Sequence, residues 1–239
     1  PTSVGVCAST AYGSLEAITE VHRVARLEDP RYLNPARFPN TVINSALGYV
    51  SVWEDLRAAN VTVTNGPTGS LDAVYCASSL LDTGRAEAVL VGGGEAMSEA
   101  LWQAFRRLEM LDEDPTPWSP ERGARKGLRL GEGAALAVLE PTAAARARGA
   151  RVLGEVVGYG AAFEPADDDA PMVQVSAEAL RRAIAQCLDD AEMSSVSLVA
   201  SGLCGHPRLD GPELAGIDAA LGDGVPVAAI KARTGETLG

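Results

Sequence analysis

One loop of this sequence has the form of a nucleophile site. Thr64–Ser70 is a sharp strand-to-helix turn, and such a turn places a side chain at a helix N-terminus, where the dipole and free N–H groups stabilise a thiolate or an oxyanion. Its apex residue is Pro67, which offers neither a nucleophile nor a backbone N–H. Thr68 and Ser70 supply hydroxyls nearby, but both residue types also favour helix caps and turns. The turn therefore lacks an evident nucleophile.

Two later loops carry candidates for acid–base chemistry. Cys204 and His206 lie two residues apart after an apolar strand, which suggests a nucleophile and a base, although no carboxylate or amide that would orient the base is obvious. Lys231 and Glu236 are either an acid–base pair or, as we favour, a structural ion pair. The chain has only two histidines, His22 and His206. A mechanism that needs a pair of histidines is therefore poorly supported.

Alternating strand and helix patterns position these loops. Apolar and β-branched runs predict strands, and apolar residues at helical spacing predict helices. The predicted strands are Ser3–Cys7, Val61–Thr64, Ala88–Val91, Ala134–Leu139, Val152–Val157, Ser197–Ala200 and Val225–Ile230. The predicted helices are Leu15–Arg26, Asn40–Leu56, Leu71–Leu81, Thr142–Arg148, Ser176–Ala191 and Pro212–Leu221. This alternation predicts an α/β fold with mainly parallel sheets covered by helices, and it puts the three loops at the carboxyl ends of strands, where active sites gather.

The composition excludes several classes of function. The net charge of -12 over 239 residues argues against nucleic acid and anionic membrane surfaces as partners, and against direct docking of an acidic protein. One candidate basic patch remains, at 122–129. Four scattered cysteines without metal spacing predict no metal site and no disulfide framework. We also expect no cofactor. The absence of a signal peptide and of a long apolar run predicts a cytoplasmic protein.

Three motifs, in this order, resemble those of the β-ketoacyl synthase family. Val63–Ala73 resembles the family's elbow, T-(A/G)-C-x-S-(G/S) followed by a helix. Gly84–Ala96 is similar to G-x-A-D-x-x-x-x-G-G-x-E-A, and Arg125–Ala135 to R-D-G-F-V-x-G-E-G-A-A. The resemblance continues into the second half. It implies a thiolase-like fold with two related halves, in which 1–150 is the N-terminal half and 151–239 is the start of the C-terminal half. The family's first strand and last strand pair have no counterpart in this sequence, which is therefore either a fragment or a shortened, partner-dependent form.

The catalytic positions of that family fall on residues that cannot do its chemistry. In the family, a cysteine at the elbow carries the acyl chain, and two histidines drive malonyl decarboxylation and condensation. The register set by Leu71-Asp72 places the cysteine position on Pro67. The motif H-G-T-x-T-P-L-x-D-x-x-E places the first histidine on Gly202, and K-x-x-x-G-H places the second on Glu236. The resemblance thus implies no catalytic residue here, because nucleophile, base and oxyanion donors are lost together; Glu236 would also repel a developing oxyanion.

This replacement pattern resembles the chain length factor subgroup, whose members pair with an active ketosynthase in type II polyketide or polyene assembly. The resemblance implies a heterodimer that meets the acyl carrier protein through the ketosynthase partner. The strand that would pair across the dimer interface is Val61, Thr62, Val63 and Thr64. The side chains that would close the acyl tunnel are Phe38, Asn40 and Thr41. The alternative for these last residues is structural, with Phe38 in the core and Asn40 capping the following helix.

Two other functions remain open from the sequence. One is a diverged acyl-transfer or thioester-hydrolysing enzyme that uses Cys204, Thr68 or Ser70. The other is an acyl-binding or scaffold protein without a ketosynthase partner. A sheet that lacks its outer strands has unpaired edges, and this favours dependence on a partner. We therefore expect a non-catalytic subunit that shapes the tunnel of an active ketosynthase.

Overall fold

The computed structural model describes residues 2–112, 114, 116, 127–165 and 174–238. They divide into two units. The ranges of the first unit are Pro1–Ala104, Glu132–Gly154 and Thr237–Gly239. The ranges of the second unit are Phe105–Gly131 and Glu155–Glu236. The expected division into halves at residue 150 remains a prediction.

A four-stranded sheet organises the first unit. Its strands are β1 (Val4–Ser9), β2 (Asn60–Val63), β3 (Ala88–Glu95) and β4 (Gly133–Leu139). The strand order is β2-β1-β3-β4, in which β1 runs parallel to both neighbours and β4 runs antiparallel to β3. Among the described residues β2 pairs with β1 alone, so β2 forms one edge of the sheet. The carboxyl end of β2 leads directly into the elbow turn.

Helices lie on both faces of this sheet because consecutive residues of β1 are buried, so that both faces of the strand are covered. The α-helices that begin in this part of the chain are α1 (Leu15–Leu27), α2 (Ser45–Trp53), α3 (Gly69–Asp82), α4 (Glu99–Arg107) and α5 (Thr142–Ala147). Cys7 packs with the small residues Ala73 and Ala77 of α3 on one face. Val6 packs with Leu47 of α2 on the other. The contacts of Cys7 with Ala73 and Ala77 hold α3, and hence the elbow at its N-terminus, against the sheet.

The second unit is built on two packed helices and a short sheet. Its elements are α6 (Ala177–Asp190), β5 (Val199–Ser201), α7 (Pro207–Leu221), β6 (Val227–Ala229) and α8 (Lys231–Thr234). The strands β5 and β6 are parallel, and α6 packs against α7. Each strand leads straight into one of the candidate loops. The predicted α/β class with mainly parallel strands is confirmed.

Two predicted elements are wrong. No regular structure forms at Val152–Val157, because a strand needs a hydrogen-bonded neighbour and none of the described strands lies beside it. The predicted helix Asn40–Leu56 is instead a 3-10 helix, Pro35–Thr41, followed by the shorter α2. Val42 between them has an extended backbone (ψ 143°), which interrupts helical hydrogen bonding.

Smaller differences concern element ends. The helix predicted from Pro212 begins at Pro207, because His206 caps its N-terminus, and the strand predicted at Val61–Thr64 is Asn60–Val63. The sequence did not predict α4. Most of the basic run at 122–129 lies outside the described residues.

Candidate functional site

The elbow turn is formed by a glycine and a proline at its apex. Gly66 has a φ of +62°, a conformation that favours glycine, and Pro67 follows within a 3-10 turn, Gly66–Thr68, that leads into α3. Pro67 is exposed. A proline fits the start of a helix because its missing N–H would have no intrahelical acceptor there. The turn is therefore a stable helix start without a reactive side chain at its apex.

Hydroxyls beside the apex are engaged in structural hydrogen bonds. Thr68 Oγ1 donates to Asp72 Oδ2 at 3.1 Å, and Asn65 Nδ2 donates to the same oxygen at 2.9 Å. Ser70 Oγ lies 2.9 Å from Ser9 Oγ. These contacts tie the turn to the first helical turn of α3 and to the end of β1. Neither hydroxyl forms a hydrogen bond with a histidine or lysine of the described residues, so activation of Thr68 or Ser70 is not supported.

The second loop is held by two carboxylates from α7. Gly202 N–H donates to Glu213 Oε1 at 2.6 Å. The N–H groups of Cys204 and Gly205 donate to Asp210 at 3.0 and 2.8 Å. Asp210 and Glu213 are one helical turn apart, so they face the same loop. The backbone donors that could have bound a substrate oxyanion here are thus already satisfied by the protein itself.

The geometry around Cys204 makes it a poor nucleophile. Its thiol lies 3.5 Å from Asp210 Oδ1, to which it donates. Burial, reinforced by the Asp210 and Glu236 carboxylates, raises the pKa of the Cys204 thiol to about 12. His206 Nδ1 accepts the Arg208 N–H at 3.2 Å and so caps α7. The expected nucleophile–base contact is absent among the hydrogen bonds of these two side chains, and a thiol with this pKa holds almost no thiolate near neutral pH.

Lys231 and Glu236 form an ion pair in the third loop. Lys231 Nζ lies 2.8 and 2.6 Å from the two carboxylate oxygens of Glu236. The Glu236 side chain is 6% exposed and that of Lys231 23%. The two side chains thus form the ion pair that the sequence favoured.

Gly202 and Glu236, to which the resemblance assigns the two histidine positions, share one acidic environment. Burial raises the pKa of Glu213 above its usual range, and the neighbouring Asp210 and Glu236 carboxylates add to the shift, whereas the Gly202 N–H and Lys231 oppose it. A Cβ at Gly202 would lie 3.1 Å from Glu213 Oε2. A developing oxyanion would thus meet carboxylates at both positions. We call Pro67, Gly202 and Glu236 the vacated positions.

The candidate tunnel residues lie on the 3-10 helix that precedes α2. Phe38 is 68% exposed, so the alternative that placed it in the core is wrong. Asn40 Oδ1 accepts the Tyr49 hydroxyl at 2.6 Å, so its side chain joins the 3-10 helix to α2 instead of capping α2. Thr41 Oγ1 donates to the Phe38 carbonyl at 2.8 Å. Of the three, Phe38 presents the largest free apolar surface.

Sequence reasoning missed several residues that shape these loops. Asp72 organises the elbow, Asp210 and Glu213 hold the second loop, and Glu95 binds the turn after β1. The D-x-x-E spacing of Asp210 and Glu213 was a usable signal, because it puts both carboxylates on one helix face. Glu95 gave no such signal, since the donors that it binds, in the turn after β1, reach it only through the pairing of β1 with β3.

Comparison with known proteins identifies the family. The family Beta-ketoacyl synthase, N-terminal domain, matches residues 1–145. The chain belongs to the β-ketoacyl synthase family. A 3-oxoacyl-(acyl-carrier-protein) synthase 2 from Vibrio cholerae is 30% identical over 250 residues, which cover 99% of this chain and 59% of that protein. The chain therefore spans about three-fifths of the length of this ketosynthase relative.

Solved structures of ketosynthases share the fold. The ishigamide ketosynthase/chain length factor superposes with a TM-score of 0.86 at 24% identity, over 98% of this chain and 58% of that one. A type II polyketide synthase acyl-carrier protein in complex with its ketosynthase gives a TM-score of 0.85 at 23% identity, over 99% and 61%. At these identities the likeness establishes the thiolase-like ketosynthase fold.

The described residues contain no helix long and apolar enough to cross a membrane. Within the same residues, no group of three or more histidine, cysteine, aspartate or glutamate side chains could hold a metal ion.

Proposed function

We propose that this chain is a non-catalytic, chain length factor-like subunit that pairs with an active ketosynthase and shapes its acyl tunnel in type II polyketide or polyene biosynthesis. The observation that carries the proposal is the chemistry of the vacated positions. In the register that the family motifs imply, proline, glycine and a lysine-paired glutamate take the positions of the family's nucleophile and its two histidines. Pro67 and Gly202 carry no side-chain nucleophile, and the Glu236 carboxylate is held by Lys231. Pro67 has no N–H and the Gly202 N–H is already bound to Glu213, so neither is available to a thioester oxyanion.

The competing enzyme hypothesis has little support from the geometry. Cys204 donates to Asp210 and carries a strongly raised pKa, and Thr68 and Ser70 are engaged with Asp72 and Ser9. Nucleophilic catalysis needs an adjacent base or a lowered pKa. A non-catalytic role agrees better with these contacts than acyl transfer or thioester hydrolysis does.

The free edge of β2 supports a paired assembly. Ala59 and Val63 carbonyls accept N–H groups from Val6 and Thr10, so these residues face β1. Because successive residues of a strand direct their N–H and C=O groups to alternate sides, Thr62 faces the free edge. An edge strand of this kind can extend the sheet into a second subunit. The proposed partner is an active ketosynthase, and the acyl carrier protein would dock through it.

Co-expression with a ketosynthase that retains its cysteine and both histidines tests the proposal. We expect a one-to-one heterodimer by native mass spectrometry and condensing activity that requires this chain. Thr62→Pro removes an edge N–H and should abolish co-purification, whereas the matched variant Thr62→Val keeps that N–H and should retain it. A folded chain that forms no complex with any such ketosynthase would refute the proposal.

Product length tests the tunnel role separately. Phe38→Ala enlarges the space at the proposed tunnel end, so we expect longer products from the heterodimer by mass spectrometry. Tyr32→Ala is the matched control, because Tyr32 is similarly exposed (74%) and lies outside the proposed tunnel residues. Identical product lengths for wild type and Phe38→Ala would remove Phe38 from the tunnel.

A further inference from the structure

The main chain holds Glu236 in a fixed place. Its N–H donates to the Arg129 carbonyl at 2.7 Å, and its carbonyl accepts the Gly131 N–H at 2.9 Å. Gly235 before it has a φ of +77°, and a Cβ on Gly131 would lie 2.1 Å from the Thr234 carbonyl oxygen. The two segments thus approach too closely for bulkier residues. The Glu236 side chain therefore starts from a position set by backbone contacts.

The Glu236 carboxylate contacts the Lys231 ammonium through both of its oxygens, as a bound carboxylate ligand would. Both carboxylate oxygens lie within 2.8 Å of the ammonium, and the carboxylate is almost completely removed from water. Both hydrogen bonds that the structure shows for Lys231 Nζ go to this one group. Charge-assisted contacts of this length in a shielded place are the strong ones.

The neighbouring backbone donors repeat the same pattern. Gly202 N–H binds the Glu213 carboxylate, and the N–H groups of Cys204 and Gly205 bind the Asp210 carboxylate. The cation and the three N–H groups around the former histidine positions are therefore each occupied by a carboxylate of the chain. Carboxylates of the chain itself therefore bind the groups that could otherwise bind an external anion.

We propose that Lys231 and its surroundings form a carboxylate-binding site that Glu236 occupies from within the chain, closing it to small carboxylate ligands such as the malonyl group. The part of this inference that concerns malonyl exclusion rests on the proposed function. It extends that function, because a tunnel-shaping subunit that rejects the extender unit leaves condensation to its partner. The carboxylate site itself requires no ketosynthase.

Chemical rescue tests the site directly. Glu236→Ala keeps Cβ and removes one methylene and the carboxylate, which are the heavy atoms of acetate. We expect acetate to raise the Tm of this variant saturably above the effect of chloride at equal ionic strength, and malonate to do the same. At ten times its Kd, acetate should raise the ratio of folded to unfolded protein about elevenfold.

Two controls separate site binding from a general salt effect. Wild type, in which Glu236 fills the site, and Glu236→Ala/Lys231→Met, which lacks the cation, should respond equally to acetate and chloride. A rescue of the same size in either control would overturn the proposal, and so would the absence of rescue in folded Glu236→Ala. Since no partner is needed, failure here is distinguishable from failure to form a heterodimer.

A second measurement covers the case in which Glu236→Ala does not fold. The chain has only two lysines, Lys126 and Lys231, so labelling by an amine reagent is readily assigned by peptide mass spectrometry. Glu236→Gln keeps the side-chain shape and removes the charge. We expect Lys231 to be labelled several-fold faster in Glu236→Gln than in wild type, because its ammonium is no longer held by a carboxylate. An unchanged rate would contradict the proposal.

Discussion

Removing Lys231 should destabilise the protein more than neutralising Glu236. In Lys231→Met, the Glu236 carboxylate, 6% exposed, loses its cation, and breaking a buried pair in this way costs about 3–5 kcal/mol. In Glu236→Gln the remaining ammonium sits on a flexible stem and is 23% exposed, so it can turn towards water. We expect that variant to lose about 1–3 kcal/mol.

A double-mutant cycle measures the interaction energy between Lys231 and Glu236. Lys231→Met/Glu236→Gln removes both charges, so its loss should be smaller than the sum of the single losses by about 1–3 kcal/mol. Urea unfolding followed by circular dichroism measures each free energy of unfolding. Additive losses, or a greater loss for Glu236→Gln than for Lys231→Met, would refute the argument that burial decides the cost.

Three further predictions follow from the second unit. Cys204 should resist iodoacetamide near neutral pH because its thiol pKa is raised to about 12, and labelling at the rate of a free cysteine, read by peptide mass spectrometry, would contradict this. The raised pKa of Glu213 means that its carboxyl stays protonated to higher pH in the folded state than in the unfolded state. The free energy of unfolding should therefore decrease as the pH rises from the ordinary glutamate range through the raised pKa. Glu213→Gln should make this decrease smaller in urea unfolding measured at several pH values, and an unchanged pH dependence would disprove the argument. Gly131→Ala should cost about 1–3 kcal/mol by overpacking, because its Cβ would lie 2.1 Å from the Thr234 carbonyl oxygen, whereas the matched Gly133→Ala meets nothing within 4 Å; equal melting temperatures would refute it.

The sequence predicted the elements whose signals are local. The β-branched run at β2 and the apolar spacing of α3 and α6 each specify their structure without help from distant residues, and the structure has all three. Val152–Val157 carries the same kind of strand signal. The strand predicted there is wrong because strand formation depends on a neighbouring strand, which the local pattern does not encode.

The contacts of the candidate site were only partly predictable. The assignment of Pro67, Gly202 and Glu236 by spacing within the family motifs stays a prediction, whereas the ion pair of Glu236 with Lys231, which charge chemistry favoured, is present. The engagement of Cys204 with Asp210 could not be read from a separation of six residues, because it depends on how the loop folds back onto the start of α7. The helix α7 itself begins five residues earlier than its apolar pattern indicated, since a histidine cap is a weak sequence signal.

The location of the acyl group tests the central claim most directly. The purified heterodimer would be incubated with an acyl thioester, and the intact mass of each subunit measured. We expect the added mass of one acyl chain on the ketosynthase partner and none on this chain. An acyl adduct on this chain, mapped to Cys204, Thr68 or Ser70, would contradict it.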